Sequence, residues 1–422
     1  MTAFFIPKLE LITVMFSVTS RRLQRVQPHP SQWKYLVVDR CRQRDYMPVV
    51  RRQLTGDLPL RLCIRLPIQN PTHMTALLRP HVSRFLSLDL HVPTHKDAER
   101  FVSSIGKGQP APLLERLNIS VKHGLVHDIA SFAALKNSFY PSPRLTHLSI
   151  PSVPLPDISA PLLSNVTSLT IDSIQSQWDF DLFYLLDMLE SMPQLKKFTF
   201  KGFDNFSFRP TSEINHPRVI SMPNLTSVDV SAPGCGLDIL RAFDAPLLTS
   251  VRFDGYRPLG YQEDPSDALT IPISGSLRRV SERSPMVKCL KLRSTVMHVP
   301  LEDYCWLLSD ESFPQLEVLR LDGADISDKA LRRGRAQMRN LKRLELLNCE
   351  NVSGKAVKKF VHWHWPGGIW EGRGKNFVVF IYACPSITEE DKVELSKIVT
   401  VETKQPFRKR RVFTGTKAPR EN

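Results

Sequence analysis

Three stretches of the chain carry residue types able to do chemistry. His362-Trp363-His364-Trp365 sets two imidazoles on one side of an extended segment, where they could ligate a metal ion. No third or fourth ligand stands at a metal-site spacing. With Trp363, Trp365 and Trp370 close together, the stretch reads instead as an apolar patch at the end of the fold. Ile105-Gly106-Lys107-Gly108 is rich in glycine but lacks the spacing and the Ser/Thr of a phosphate-binding loop. The run Arg408-Lys409-Arg410-Arg411 could serve as a nuclear-import signal or a phosphate-binding arm, or be a solvated tail. No Ser, His and Asp can be grouped from sequence. The expectation is therefore a protein with no catalytic residues, no metal and no cofactor.

What remains is a set of polar residues held beside a repeated apolar phrase. The phrase is a turn, usually containing Pro, followed by Leu-x-x-Leu-x-Leu, as in Phe313-Pro314-Gln315-Leu316-Glu317-Val318-Leu319-Arg320-Leu321. It returns at Met192–Phe200 and Met222–Val230, and from Pro112, Pro143, Pro246 and Pro285. Looser copies are Phe85, Leu88, Leu90, then Val166, Leu169, Ile171, and Leu341, Leu344, Leu346. About ten copies, most roughly 21 to 31 residues apart, have the period of leucine-rich repeats. Two apolar residues separated by one polar residue belong to a short strand whose alternate side chains face opposite ways. One such strand cannot bury its apolar face alone, whereas stacked neighbours can. The fold class expected is α/β, a leucine-rich-repeat solenoid with a parallel sheet on its concave face and a short N-terminal helical segment.

In that arrangement the polar residues beside the core positions point to the concave side. The expected protein-binding set on this face is Lys197, Asp229, Arg252, Lys291, Arg293, Arg320, Asp322, Arg343 and Glu345. Charge increases along the row towards the C-terminus, which suits a protein partner of complementary charge. Returns between strands are expected as helices or irregular segments. Asp179 to Met192 shows an apolar stripe of Phe180, Phe183, Tyr184, Leu186 and Leu189. Asp204 to Ile220 and Arg257 to Ser284 lengthen the repeat spacing, and the larger, Arg257 to Ser284, reads as a loop insertion. The C-terminal copies Asn348-Cys349-Glu-Asn-Val352-Ser353 and Cys384-Pro-Ser-Ile387-Thr388 place Cys ahead of an aliphatic and a hydroxyl residue. Ser353 and Thr388 are predicted helix N-caps, and the cysteines are predicted to be structural.

The 57 Lys and Arg against 42 Asp and Glu give a net charge of +15, which raises nucleic acid as a partner. The basic residues are spread rather than blocked, and they do not alternate with aromatics as a base-stacking platform requires. Seven cysteines without Cys-x-x-Cys spacing fit small buried hydrophobes in a reducing compartment. The N-terminal residues are too short and too charged a run for a membrane span, and no signal peptide or membrane partner is expected.

The N-terminal stretch resembles the end of an F-box in fungal F-box-like proteins. Leu9 to Val26 reads as a helix ending in a basic cluster, followed by Pro28-His29-Pro30-Ser31-Gln32-Trp33. Trp33 to Val38 then reads as a strand, Tyr46 to Leu54 as a helix, and Pro59 to Leu66 as the family's Pro-Leu strand. The cysteine-type repeats resemble those common in the F-box proteins of ubiquitin ligases. The resemblance implies a receptor that grips the small adaptor of a cullin ubiquitin ligase, through Leu23, Val26 and Trp33, and holds a protein substrate on its concave face. Nothing before Leu9 matches the Leu-Pro opening of a full F-box, and two readings of this stand open: a truncated gene model, or a true paralogue that has lost the adaptor site.

The segments expected are 1–33 as a truncated F-box-like helical piece, 34–79 as a strand-helix-strand lead-in cap, 80–400 as the solenoid and 401–422 as a basic disordered tail. The function expected is substrate recognition in a cullin-type ligase, in cytoplasm or nucleus. An adaptor-independent interaction scaffold and a basic nucleic-acid-binding protein are the alternatives.

Overall fold

The computed structural model describes residues 35–39, 50–51, 54–66, 71–121, 135–151, 160–172, 182–202, 218–232, 236–255, 273–293, 300–309, 311–333, 338, 340–364 and 377–403. The helix expected at Leu9 to Val26 lies outside them, as do Leu23, Val26 and Trp33, most of the two stretches 204–220 and 257–284, and Trp365 and Trp370; of the tail expected at 401–422, residues 401–403 are strand and the rest lie outside. The chain divides into two compact units, Met1–Leu248 and Thr249–Asn422. Both are α/β.

The first unit is built on parallel strands β1 (Tyr35–Asp39), β2 (Leu60–Arg65), β3 (Phe85–Val92), β4 (Arg116–Val121), β5 (His147–Pro151), β6 (Ser168–Asp172) and β7 (Lys197–Lys201). Beyond β7 come β8 (Ile220–Ser221), β9 (Ser227–Ser231) and β10 (Phe243–Asp244). β1 to β7 and β9 lie side by side in chain order, and β8 pairs separately with β10. The second unit carries β11 (Ser250–Asp254), β12 (Cys289–Arg293), β13 (Val318–Asp322), β14 (Arg343–Leu347), β15 (Val378–Tyr382) and β16 (Thr400–Thr403). Each pairs in parallel with the next.

The repeated phrase explains this directly. All thirty apolar positions of its ten copies are at most 4% exposed. The strand residues between them alternate outward, as period-2 geometry demands. Pro has a defined job in the turn. In Phe313-Pro314-Gln315-Leu316 the Leu316 N–H donates to the Phe313 carbonyl at 3.0 Å. Pro at the second position presets a φ near about −65° and needs no N–H there. The same closure recurs from Leu195 to Met192 at 3.0 Å and from Leu225 to Met222 at 3.1 Å. Asn at the third turn position adds a link between repeats. Asn165, Asn224 and Asn340 each donate Nδ2–H to the turn-proline carbonyl of the preceding copy, Pro143, Pro193 and Pro314, at 3.1, 2.9 and 2.8 Å. These bonds satisfy carbonyls that a strand ladder leaves over.

Most returns between strands include a helix among the described residues. Thr94 caps His95–Gly106 by accepting from the Asp97 N–H. Thr388 caps Glu389–Ser396 in a capping box with Asp391. Ser353 Oγ accepts from the Ala356 N–H at 3.2 Å, and Ser353 itself donates N–H and O–H to the Asp328 carboxylate of the preceding repeat, both at 2.7 Å. Both predicted caps are thus in place.

Three expectations are corrected. His362 and Trp363 sit in the helix Gly354–His364 rather than in an extended segment, and both are exposed. The closing part of the 257–284 insertion is the helix Ile273–Arg283, whose Leu277 and Val280 are buried. In the helix Leu182–Glu190 the buried residues are Leu185, Leu186, Met188 and Leu189, while Phe183 and Tyr184 face solvent. Seven apolar residues in a nine-residue helix define no unique stripe.

Candidate functional site

Strand register sorts the outward residues into rows that run across the sheet. In the first unit one row contains Arg116, His147, Ser168, Lys197 and Ser227. The next contains Asp89, Asn118, Ser149, Thr170, Thr199 and Asp229. Lys197 is exposed and Asp229 half-buried. Burial, Arg116 and Lys197 together hold the His147 imidazole below its ordinary value, so it is predominantly neutral at pH 7. The ion pair on this face that register explains is Lys201 with Asp172, 3.6 Å apart on paired residues of β7 and β6.

The second unit is different. Its middle row reads Arg252, Lys291, Arg320, Glu345, Phe380, Glu402, and the row beside it Asp254, Arg293, Asp322, Leu347, Tyr382. Arg343 lies opposite Val318, and Glu345 opposite Arg320. The sequence pairs Arg320 with Asp322 and Arg343 with Glu345 therefore do not occupy equal positions.

This offset lets the charges interlock. Arg252 and Arg293 approach the Asp254 carboxylate at 3.7 and 3.4 Å. Arg320 contacts Asp322 at 3.0 Å and Glu345 at 3.8 Å. Arg343 contacts Glu345 at 2.5 Å and Glu402 at 2.7 Å, with its guanidinium over the Phe380 ring at 5.8 Å. Asn348 donates to Asp322 at 2.7 Å. The hydrogen bonds to Glu402 and Glu345 raise the Arg343 pKa further above its ordinary value.

Of the nine residues expected to bind a partner, all are placed on outward strand positions. Their surroundings separate them. Asp322 is only 8% exposed and serves Arg320 and Asn348. Arg343 and Glu345 are mutual partners. Lys197 and Arg252 are the exposed members of the set, and Lys291 is half-buried but bears no ion pair among the described residues. Asp254 and Glu402 complete the ladder and were missed. Asp254 follows Phe253 in plain alternation and was readable; Glu402 sits on β16, which lacks the repeated phrase.

Behind the strands, Cys349 and Cys384 occupy equal places after β14 and β15, both buried. The residues before them, Asn348 and Ala383, and Gly323 after β13 all have φ between 50 and 65°. The hydrogen bond to the Cys384 sulfur, together with burial, keeps the Cys349 thiol protonated. Among the described residues no group of three His, Cys, Asp or Glu could hold a metal ion, and no helix is long and apolar enough to cross a membrane.

No protein-family model and no curated protein matches the chain by sequence. Among solved structures, a chain from the crystal structure of the Rad7 and Elc1 complex in yeast is similar at a TM-score of 0.29 and 14% identity, over 79% of this chain and 87% of that one.

Proposed function

We propose that this chain is a protein-binding leucine-rich-repeat solenoid that presents its polar strand face to a protein substrate, as the recognition subunit of a cullin-type ubiquitin ligase. The observation that carries the binding role is the separation of the two strand faces. Thirty phrase positions are withdrawn from solvent, and the alternating residues form registered polar rows available to a partner. The ligase assignment draws on the resemblance of Trp33 to Leu66 and of the cysteine-type repeats at Cys349 and Cys384 to F-box proteins. On this reading the chain performs no chemical step itself and acts in cytoplasm or nucleus.

The polar rows lie within residues 85–403, apart from the segment 1–33. The same face would therefore serve a scaffold that binds partners without the adaptor. One experiment separates the two. The full chain and a version lacking residues 1–33 are each co-purified with the cullin adaptor. Recovery that depends on residues 1–33 supports the receptor; recovery with neither removes the ligase role and leaves the scaffold.

A further inference from the structure

The cations of the second unit's polar face are unevenly neutralised. Arg252, Lys291 and Arg320 hold equal positions on β11, β12 and β13, each directly across from the next. Parallel strands are spaced about 4.8 Å, so the three cover on the order of 10 Å. The outer two have carboxylates at hand, Asp254 for Arg252 and Asp322 and Glu345 for Arg320. Lys291, between them, has no ion pair among the described residues. Its neighbour along β12, Arg293, is held by Asp254. Like charges directly across a strand pair repel. The centre of the row is thus a place where an anion supplied from outside would remove a standing electrostatic cost.

We propose that Arg252, Lys291 and Arg320 form an anion subsite centred on Lys291, and that its occupant is an acidic segment of a protein partner. The proposal rests on the protein-binding reading above and gives that partner its chemistry. The surrounding charges choose between acidic protein and nucleic acid. Asp254 and Asp322 flank the subsite on one side, and Glu345 continues the row beyond Arg320. A phosphate backbone carries charge at every step and would be laid against these carboxylates. One or two carboxylate side chains fit between them. The nearest aromatic in the row, Phe380, is three strands from Lys291 and is covered by Arg343, so no stacking platform adjoins the subsite.

The test is a titration of the full-length chain with a labelled peptide alternating Asp or Glu with Gly. Its Asn/Gln counterpart and a single-stranded oligonucleotide of equal charge are run beside it, each across a salt series. The acidic peptide is expected to bind more tightly than its neutral counterpart. Lys291→Glu is expected to weaken that binding about tenfold, with Lys291→Arg retaining it. The melting midpoint of Lys291→Glu should be unchanged or raised, since the substitution relieves repulsion within the row. Equal affinity for the two peptides, or for wild type and Lys291→Glu, overturns the subsite. Tighter, Lys291-dependent binding of the oligonucleotide overturns the choice of a protein occupant. A protein partner that is lost on Thr199→Arg but retained on Lys291→Glu would leave the protein-binding reading standing and remove this subsite alone.

Discussion

On β4 to β7 the strand position between the two core residues is filled by Asn118, Ser149, Thr170 and Thr199, whereas on β11 to β14 it is filled by Arg252, Lys291, Arg320 and Glu345. The apolar positions flanking these residues are equally buried in both units, and the turns close with the same hydrogen bond. The repeat therefore places few demands on its outward residues, and the two units use that freedom differently. Short hydroxyl and amide side chains recognise by hydrogen bonds whose strength depends weakly on salt. A ladder of guanidinium and carboxylate groups is electrostatic, and its exposed members are screened over about 8–10 Å at physiological ionic strength.

The comparison can be tested most severely through what the units share. Leu169→Asp in the first unit and Leu319→Asp in the second each bury an unpartnered carboxylate at a site with 0% exposure. Each should cost upwards of about 4 kcal/mol and unfold its own unit, seen as lost amide-exchange protection across that unit's strands. Arg320→Asp, one residue away, should leave protection intact and change only the polar strand face. Equal damage from Leu319→Asp and Arg320→Asp would refute the assignment of faces.

Close packing behind the strands gives the next effect. A Cβ on Gly106 would stand 2.8 Å from Phe139 Cζ, and one on Gly354 would overlap Cβ and Cγ of Asp391. Ala normally stabilises a helix relative to Gly. Here Gly106→Ala and Gly354→Ala should each destabilise by about 1–3 kcal/mol in chemical denaturation, because backbone or ring must shift.

Arg343→Met separates the two faces. It removes contacts to Glu345 and Glu402 and should cost about 0.5–1 kcal/mol at low salt, with the difference shrinking at high salt. Thr170→Val on the first unit's face should show no such salt dependence. A salt-independent loss at Arg343 would mean that its packing on Phe380, rather than its charge, matters.

The smallest effect concerns pH. Because burial, Arg116 and Lys197 hold His147 below 6.5, the unfolded chain takes up its proton first. Stability should fall as pH drops through 6.5 and stop falling from this source below the native value. His147→Gln should flatten the acid side of a stability-pH profile slightly. An NMR titration placing His147 at or above 6.5 would refute the account.

The strands could be read from sequence because the core phrase carries both residue type and period. Of the strand expected at Trp33 to Val38, the described part from Tyr35 lies in β1, and the strand expected at Pro59 to Leu66 contains β2. What could not be read depends on neighbours rather than on local pattern. One of the two carboxylate partners of Arg343 is Glu402, 59 residues away on a strand whose Thr-Val-Glu-Thr has no leucine phrase. The helix Ile273–Arg283 was hidden behind a Pro- and Gly-rich approach. The exposed ring of Phe183 follows from where its helix docks, which an almost wholly apolar nine-residue segment does not encode.

The register of the rows also sets a ruler. Successive strands present equal positions at intervals of about 4.8 Å, while a peptide in the polyproline II form advances about 3.1 Å per residue and brings every third side chain to the same side. The two scales nearly coincide after two strands and three residues, at about 9–10 Å in each case. A peptide crossing the strands from Arg252 to Arg320 would thus meet the arginines with residues i and i+3, with Lys291 falling between them. The face would then read a spacing of acidic residues and not merely their number.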